Sequence, residues 1–395
     1  MDRSKTRNWR PATRAVRGGL MRSDWGETSE AMILTSGFAY DSAEEVEARF
    51  EGNAEGFTYT RQGNPTVAMF EERMALMDGS EIAIAMATGM AAMTATLLCQ
   101  LKAGDHVVAS RALFGSCRYL IDDLLPGYGI DTTVIDGRSN DCWSTAIRPN
   151  TKVFFMETPA NPTLDIIDLR FVCALAKERG ICTVVDNAFA TPALQRPAEF
   201  GADVVAYSAT KNIDGQGRVM GGVVCCNRQF HEELLFPFCR HTGATISPFN
   251  AWVLLKGLET LALRIDQADR NALEIANFMH DRVPELLYPG LVSFPQHALA
   301  MTQMKSGGTI LSFYVSGKKQ AFSLLNALEL IDISNNLGDS RSLITHPATT
   351  THKAVEESKR LELGITDGML RISVGLEDPH DLIADLDQAL KKAGL

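Results

Sequence analysis

Between residues 80 and 210 the chain passes through six short apolar runs: "EIAIAMA", "HVVAS", "TTVI", "KVFFMET", "CTVVDN" and "DVVAYSA". Each has the length of a strand, and its apolar residues continue almost unbroken. A strand with one wet face alternates apolar and polar residues, whereas a strand covered on both faces does not. Helical patterns such as "DLRFVCALAKERG" lie between some of the runs. The expected architecture is therefore α/β with a mostly parallel sheet. The glycine-rich stretch "GQGRVMGG" after the last run is expected to be a backbone loop. It contains Gly-x-Gly, but no helix follows and the spacing is not that of a dinucleotide site.

A long helical pattern begins near Pro248 and continues to about residue 283, as a bridge between domains. Beyond it come the strand-like "GGTILSFYV" and "LRISVGL", with a helix over "KKQAFSLLNAL" between them. A last helix follows Asp378 as N-cap, with Pro379 at its first position and Asp381 in its first turn. This part reads as a smaller α+β C-terminal domain. The expected division is 1–70 as an N-terminal arm, 71–265 as the large domain and 266–395 as the small one.

A net charge of -10 over 395 residues argues against nucleic acid as the main partner. The uncharged run from Ile82 to Leu101 is long enough to span a membrane, but it is rich in Ala, Thr and Gly and broken at Thr88-Gly89. A buried strand, a turn and a packed helix account for it better. The Arg-rich N-terminus lacks the apolar core of a secretory signal, which leaves a cytoplasmic protein as the expectation. Eight cysteines without a CxxC pair read as reduced thiols. His346 and His352 flank "PATTT" as part of a shaped loop rather than a zinc site.

In an open α/β sheet ligands sit at the carboxyl ends of the strands. Those ends hold Thr88-Gly89-Met90 before a helix, Glu157 with Asn161 in the following turn, Asp186, and Ser208, Thr210 and Lys211. Free N–H groups at a helix start suit a phosphate. A buried carboxylate keeps a pyridine nitrogen protonated, and a lysine holds an aldehyde covalently. Those are the requirements of pyridoxal 5'-phosphate. The lysine amine must lose its proton to act, so partial burial and nearby positive charge are expected to lower its pKa from about 10.4.

The same strand ends carry a resemblance. "YTRQGNPT", "ATGMAA", "ETPANPT", "VVDNAFATP", "YSATKNIDGQGRVMGG", "HPATTTH" and "LRISVGLED" occur in this order from Tyr59 to Asp378. The chain resembles, over nearly its whole length, the pyridoxal-phosphate enzymes of Cys/Met metabolism, with the aspartate-aminotransferase-like (fold type I) architecture. The resemblance implies that Lys211 carries the cofactor and that Asp186 pairs with its ring nitrogen. It implies that Gly89, Met90, Ser208 and Thr210 hold its phosphate. Tyr59 and Arg61, on the N-terminal arm, would reach the phosphate in a neighbouring subunit, within a homotetramer. Asn161 would lie near the cofactor and the substrate, and Arg371 would bind the α-carboxylate of an amino-acid substrate.

Departures from the family pattern are informative. Phe114 stands where many members carry Tyr, so a ring remains to stack on the cofactor but no phenol can move a proton. Ser116 replaces the cysteine of methionine γ-lyases. The loop from Asn336 to Leu343 reads "NLGDSRSL", with Arg341 where an acid is usual. Phe114, this loop with Asn336 as a substrate-side residue, and the N-terminal segment resemble the sulfide-using branch of the family. Branches using cysteine, and lyases, share the fold and cofactor.

Overall fold

The structure is a computed structural model that describes residues 8–395. Residues 1–7 of the Arg-rich N-terminus lie outside the described residues. All six apolar runs form strands of one sheet: β1 (Ile82–Met86), β2 (His106–Ser110), β3 (Asp131–Ile135), β4 (Thr151–Glu157), β5 (Cys182–Asp186) and β6 (Val204–Ser208). A seventh strand, β7 (Gly222–Cys226), lies between β1 and β6 and pairs antiparallel with both. The remaining neighbours run parallel, in the order β6-β5-β4-β2-β3. Both faces are buried: Val205, Tyr207, Val223 and Cys225 pack into one core, and Val204, Ala206, Val224 and Cys226 into another.

β7 emerges directly from the glycine-rich stretch expected to be a loop, and its glycine start has a tertiary cause. A Cβ on Gly222 would lie 2.1 Å from the Thr88 carbonyl oxygen. The turn after β1 passes across the strand at that point, and no side chain fits beneath it.

α1 (Pro65–Asp78) precedes β1 and packs against it, and α2 (Gly89–Leu98) follows β1. α2 is capped by Thr88, whose hydroxyl accepts the Ala91 N–H at 3.0 Å. The uncharged run is thus strand, turn and helix. Among the described residues no helix is long and apolar enough to cross a membrane. α3 (Leu169–Arg179) connects β4 to β5.

The long pattern from Pro248 forms two helices, α4 (Pro248–Glu259) and α5 (Leu261–Met279), parted at Thr260. The break has a local cause. α4 lies so close to the turn after β6 that a Cβ on Gly257 would meet the Ile213 carbonyl oxygen at 2.4 Å. Arg264 of α5 turns back to donate to the Asn212 and Gly257 carbonyls at 2.7 and 2.9 Å. The start of α5 packs in the large-sheet core through Ile265, and its end packs under the small sheet through Ala272, Ile275 and Met279. That sheet comprises β8 (Glu285–Leu287), β9 (Ile310–Tyr314), β10 (Asp332–Ile333), β11 (Leu343–Thr345) and β12 (Met369–Ser373), in the order β10-β11-β12-β9-β8. The last helix, α6 (Pro379–Ala393), starts as the sequence foretells, with the Asp378 carboxylate accepting the His380 N–H at 2.9 Å.

The N-terminal segment is fastened by Arg73 of α1, which is fully buried. Its guanidinium donates to the Gly18 carbonyl at 2.8 Å, the Leu255 carbonyl at 3.3 Å and the Glu30 carboxylate at 2.6 Å. Removing the guanidinium leaves the Gly18 and Leu255 carbonyls without their donor, while Glu30 keeps Lys256 at 3.1 Å. Arg73→Ala is therefore expected to lower unfolding stability by about 1–3 kcal/mol in chemical denaturation.

Candidate active site

At the carboxyl ends of the parallel strands lies a cavity of about 570 Å³, its open mouth included. The ends of β5 and β6 contribute Asp186 and Ser208, the start of α2 Gly89 and Met90, the segments after β2 and β4 Phe114 and Asn161, the turn after β6 Lys211, and β12 Arg371.

Its anion side is the start of α2. The N–H groups of Gly89 and Met90 have no preceding helical carbonyl to bond. A Cβ on Gly89 would lie 2.6 Å from the Ser208 Cβ, so glycine brings these amides against the serine hydroxyl. Thr210 does not line the cavity. Its hydroxyl donates to the Gly221 carbonyl at 3.3 Å and accepts the Gly221 N–H at 3.1 Å, tying the Lys211 turn to the start of β7.

Glu157 and Asp186 end β4 and β5 as directly paired neighbours. Asp186 accepts one N–H, from Ala188 at 3.0 Å, and burial pushes its pKa up to about 7. A cation beside it would reverse that shift. Glu157 accepts the N–H of Phe114 at 2.6 Å and that of Asn161 at 2.9 Å. Burial, and then Asp186, push its carboxyl well above the usual range.

The Lys211 amine donates to Asn336 Oδ1 at 2.6 Å. Burial, and then the positive charge of Arg371, lower its pKa to about 8. Arg371 is 1% exposed. It donates to Asn161 Oδ1 at 2.9 Å and to the Asn336 and Asn335 carbonyls at 2.9 and 3.2 Å. Its Nε is buried without a partner. Burial lowers its pKa to about 10, opposed by Glu157.

Tyr59 and Arg61 lie outside this cavity. Tyr59 is 43% exposed, and the Arg61 guanidinium sits 5.5 Å from the centre of its ring. Arg61 also donates to the Arg240 carbonyl.

Glu157, a strand end to which the sequence assigns no role, also lines the cavity. Cys117 stands one helical turn after Phe114, a spacing that could have found it. Burial, and then Asp186 and Glu157, push its thiol far up, so it stays protonated. Thr351 and Leu337 also line the cavity. No local pattern links Thr351 to Gly115, although a Cβ on Gly115 would meet the Thr351 carbonyl oxygen at 2.8 Å. His352 is buried beside them, and burial, then Arg371, lower its pKa to about 4. His346 bonds to the Thr349 hydroxyl and the Asp367 carbonyl, both at 2.8 Å. All eight cysteines are unpaired.

The residues fit pyridoxal phosphate. A glycine-floored helix start offers free N–H groups to a phosphate, a buried carboxyl suits a cation, and an amine of lowered pKa lines the same cavity. The orphaned Nε of Arg371 leaves a donor for a carboxylate.

The model of the family described as "Cys/Met metabolism PLP-dependent enzyme" matches residues 12–391. The chain is 49% identical to an O-succinylhomoserine sulfhydrylase of Mycobacterium tuberculosis, across 96% of this chain and 95% of that protein. It is 42% identical to an O-succinylhomoserine sulfhydrylase of Pseudomonas aeruginosa, across 96% and 94%. Among solved structures, a cystathionine γ-synthase of Xanthomonas oryzae pv. oryzae, in complex with aminoacrylate and cysteine, is 36% identical with a TM-score of 0.93, covering 98% of this chain and 99% of that one.

Two outcomes are expected when pyridoxal phosphate is added to the cofactor-free protein. The yellow absorption of the bound cofactor appears with the wild type and is lost in Lys211→Ala. The rate of attachment rises with pH and levels off above about 8, where the amine is free base. Arg371→Leu removes a charge that disfavours the ammonium form, so its midpoint moves to higher pH; stopped-flow absorbance at a series of pH values measures it.

Proposed function

The chain belongs to the Cys/Met metabolism family of pyridoxal-phosphate-dependent enzymes, which form or break carbon–sulfur bonds, and within it we propose an O-succinylhomoserine sulfhydrylase. It would make homocysteine from O-succinylhomoserine and sulfide, a step of methionine biosynthesis. Relatives of that name support the succinyl ester. The observation that carries the reading is Phe114 in the cavity wall. A thiolate leaving group, with a conjugate acid near pKa 8.5, gains from an acid such as a phenol. A carboxylate, with a conjugate acid near pKa 4.3, leaves without one. A site without the phenol suits an acyl ester better than a thioether.

When bound, pyridoxal phosphate supplies an electron sink that lets a proton leave the carbon beside an amino group. Gly89, Met90 and Ser208 would hold its phosphate, with Thr210 bracing the turn, and Asp186 would hold its ring nitrogen. Phe114 would wall the ring. Arg371 takes the substrate α-carboxylate through its free Nε, while Asn161 and the Asn336 carbonyl fix its other nitrogens. Lys211 would take the proton from Cα, then one from Cβ so that the group on Cγ can leave, and would return protons once sulfide has added. The thiol of Cys117 stays protonated and both oxygens of Glu157 are already engaged, so Lys211 is the base of choice. The Cγ–O bond breaks with its electron pair leaving on succinate, and sulfide forms the new Cγ–S bond. Sulfide needs no binding group of its own.

We read Tyr59 and Arg61 as completing the phosphate site of a neighbouring subunit, in a homotetramer of active-site-sharing dimers in the cytoplasm. The deciding experiment supplies the succinyl and acetyl esters of homoserine, each with sulfide and with cysteine. Homocysteine is expected fastest from the succinyl ester and sulfide. Equal or better use of O-acetylhomoserine overturns the acyl assignment. Faster production of cystathionine points to the synthase, and ammonia released from methionine points to a lyase.

A further inference from the structure

Glu157 lines the cavity, is 4% exposed and has no part in the chemistry above. A buried carboxylate is costly unless its oxygens are satisfied. Here each oxygen serves a different segment. One accepts the Phe114 N–H, and the other accepts the Asn161 N–H. Asn161 in turn accepts from Arg371 Nη1 at 2.9 Å. The three residues come from the loop after β2, the turn after β4 and the small sheet.

We propose that Glu157 is a positioning residue: it binds the backbone of Asn161 to that of Phe114 and so aims Arg371 at the carboxylate of the incoming amino acid. The proposal rests on the reading of Arg371 given above. Each oxygen of Glu157 is bonded to a backbone N–H of another segment. It acts through its neighbours. A carboxyl group suits this place because its two oxygens accept from two separate segments. A glutamine offers one oxygen and turns an NH2 toward the second N–H, so one of the two segments is released.

The test compares two unreactive probes on the cofactor-loaded enzyme: L-norleucine, and pentylamine, which is the same chain without its carboxylate. Affinities are read from the shift each causes in the cofactor absorption. In Glu157→Gln the preference for norleucine over pentylamine is expected to fall at least about tenfold, as a misaimed binding group predicts. A general loosening of the site would weaken both probes alike. In an Arg371→Leu background, Glu157→Gln is expected to leave the preference unchanged, because both changes cut one path. Glu157→Asp keeps both oxygens but sets them back, and is expected to lie between wild type and Gln. An unchanged preference in Glu157→Gln, or full additivity with Arg371→Leu, overturns the proposal. Should Glu157→Gln fail to fold, Glu157→Asp and Asn161→Ala decide, and a wild-type preference in both overturns it equally. A wild-type enzyme whose absorption does not depend on Lys211, or which shows no preference for norleucine, instead sinks the reading of the site itself.

Discussion

Everything in this site is arranged around a buried guanidinium. Arg371 rises from the middle of the small sheet and reaches a side-chain amide on the large one. Among the described residues no acidic side chain forms an ion pair with it. Its charge is met by amide and carbonyl oxygens, which solvate without neutralising. A cation held this way keeps its field, and that field is felt by Lys211, whose amine loses its proton more readily. One residue therefore serves two purposes: it leaves a donor for an anion, and it helps to make the neighbouring amine a base near neutral pH. The arrangement also joins the sheets, because the donor is on one and its first acceptor on the other.

Much of the fold was legible in the sequence because burial on both faces leaves an unbroken apolar signature. The six parallel-type strands carry it, and their ends carry Gly89, Asp186, Ser208 and Lys211. β7 did not stand out. Its glycine start is required by the approach of the Thr88 carbonyl, and only the folded chain contains that contact. The break at Thr260 was hidden for a similar reason, since α4 and α5 read as one periodic pattern. What divides them is Arg264 reaching back to the turn beyond Lys211.

In the site, the same boundary separates what was visible from what was not. Lys211 and Asp186 stand at positions that any parallel sheet makes special. Glu157 stands at such a position too, but its partners are backbone amides of two other segments, which leave no mark on side-chain identity. Thr351 and Leu337 enter from the small sheet's loops, far along the chain from the strands they face. Phe114 is the converse case. Its identity is plain in the sequence, and the structure adds the carboxylate that holds its backbone.

Arg371 also lies far downstream of Lys211 in the chain, and this gives the lysine a history. During synthesis Lys211 leaves the ribosome well before the residue that tunes it, by on the order of ten seconds at typical elongation rates. Burial is the larger cause of its lowered pKa, and the charge of Arg371 adds to it only once the downstream sheet has been made. The order of residues along the chain thus leaves the full lowering to the finished protein.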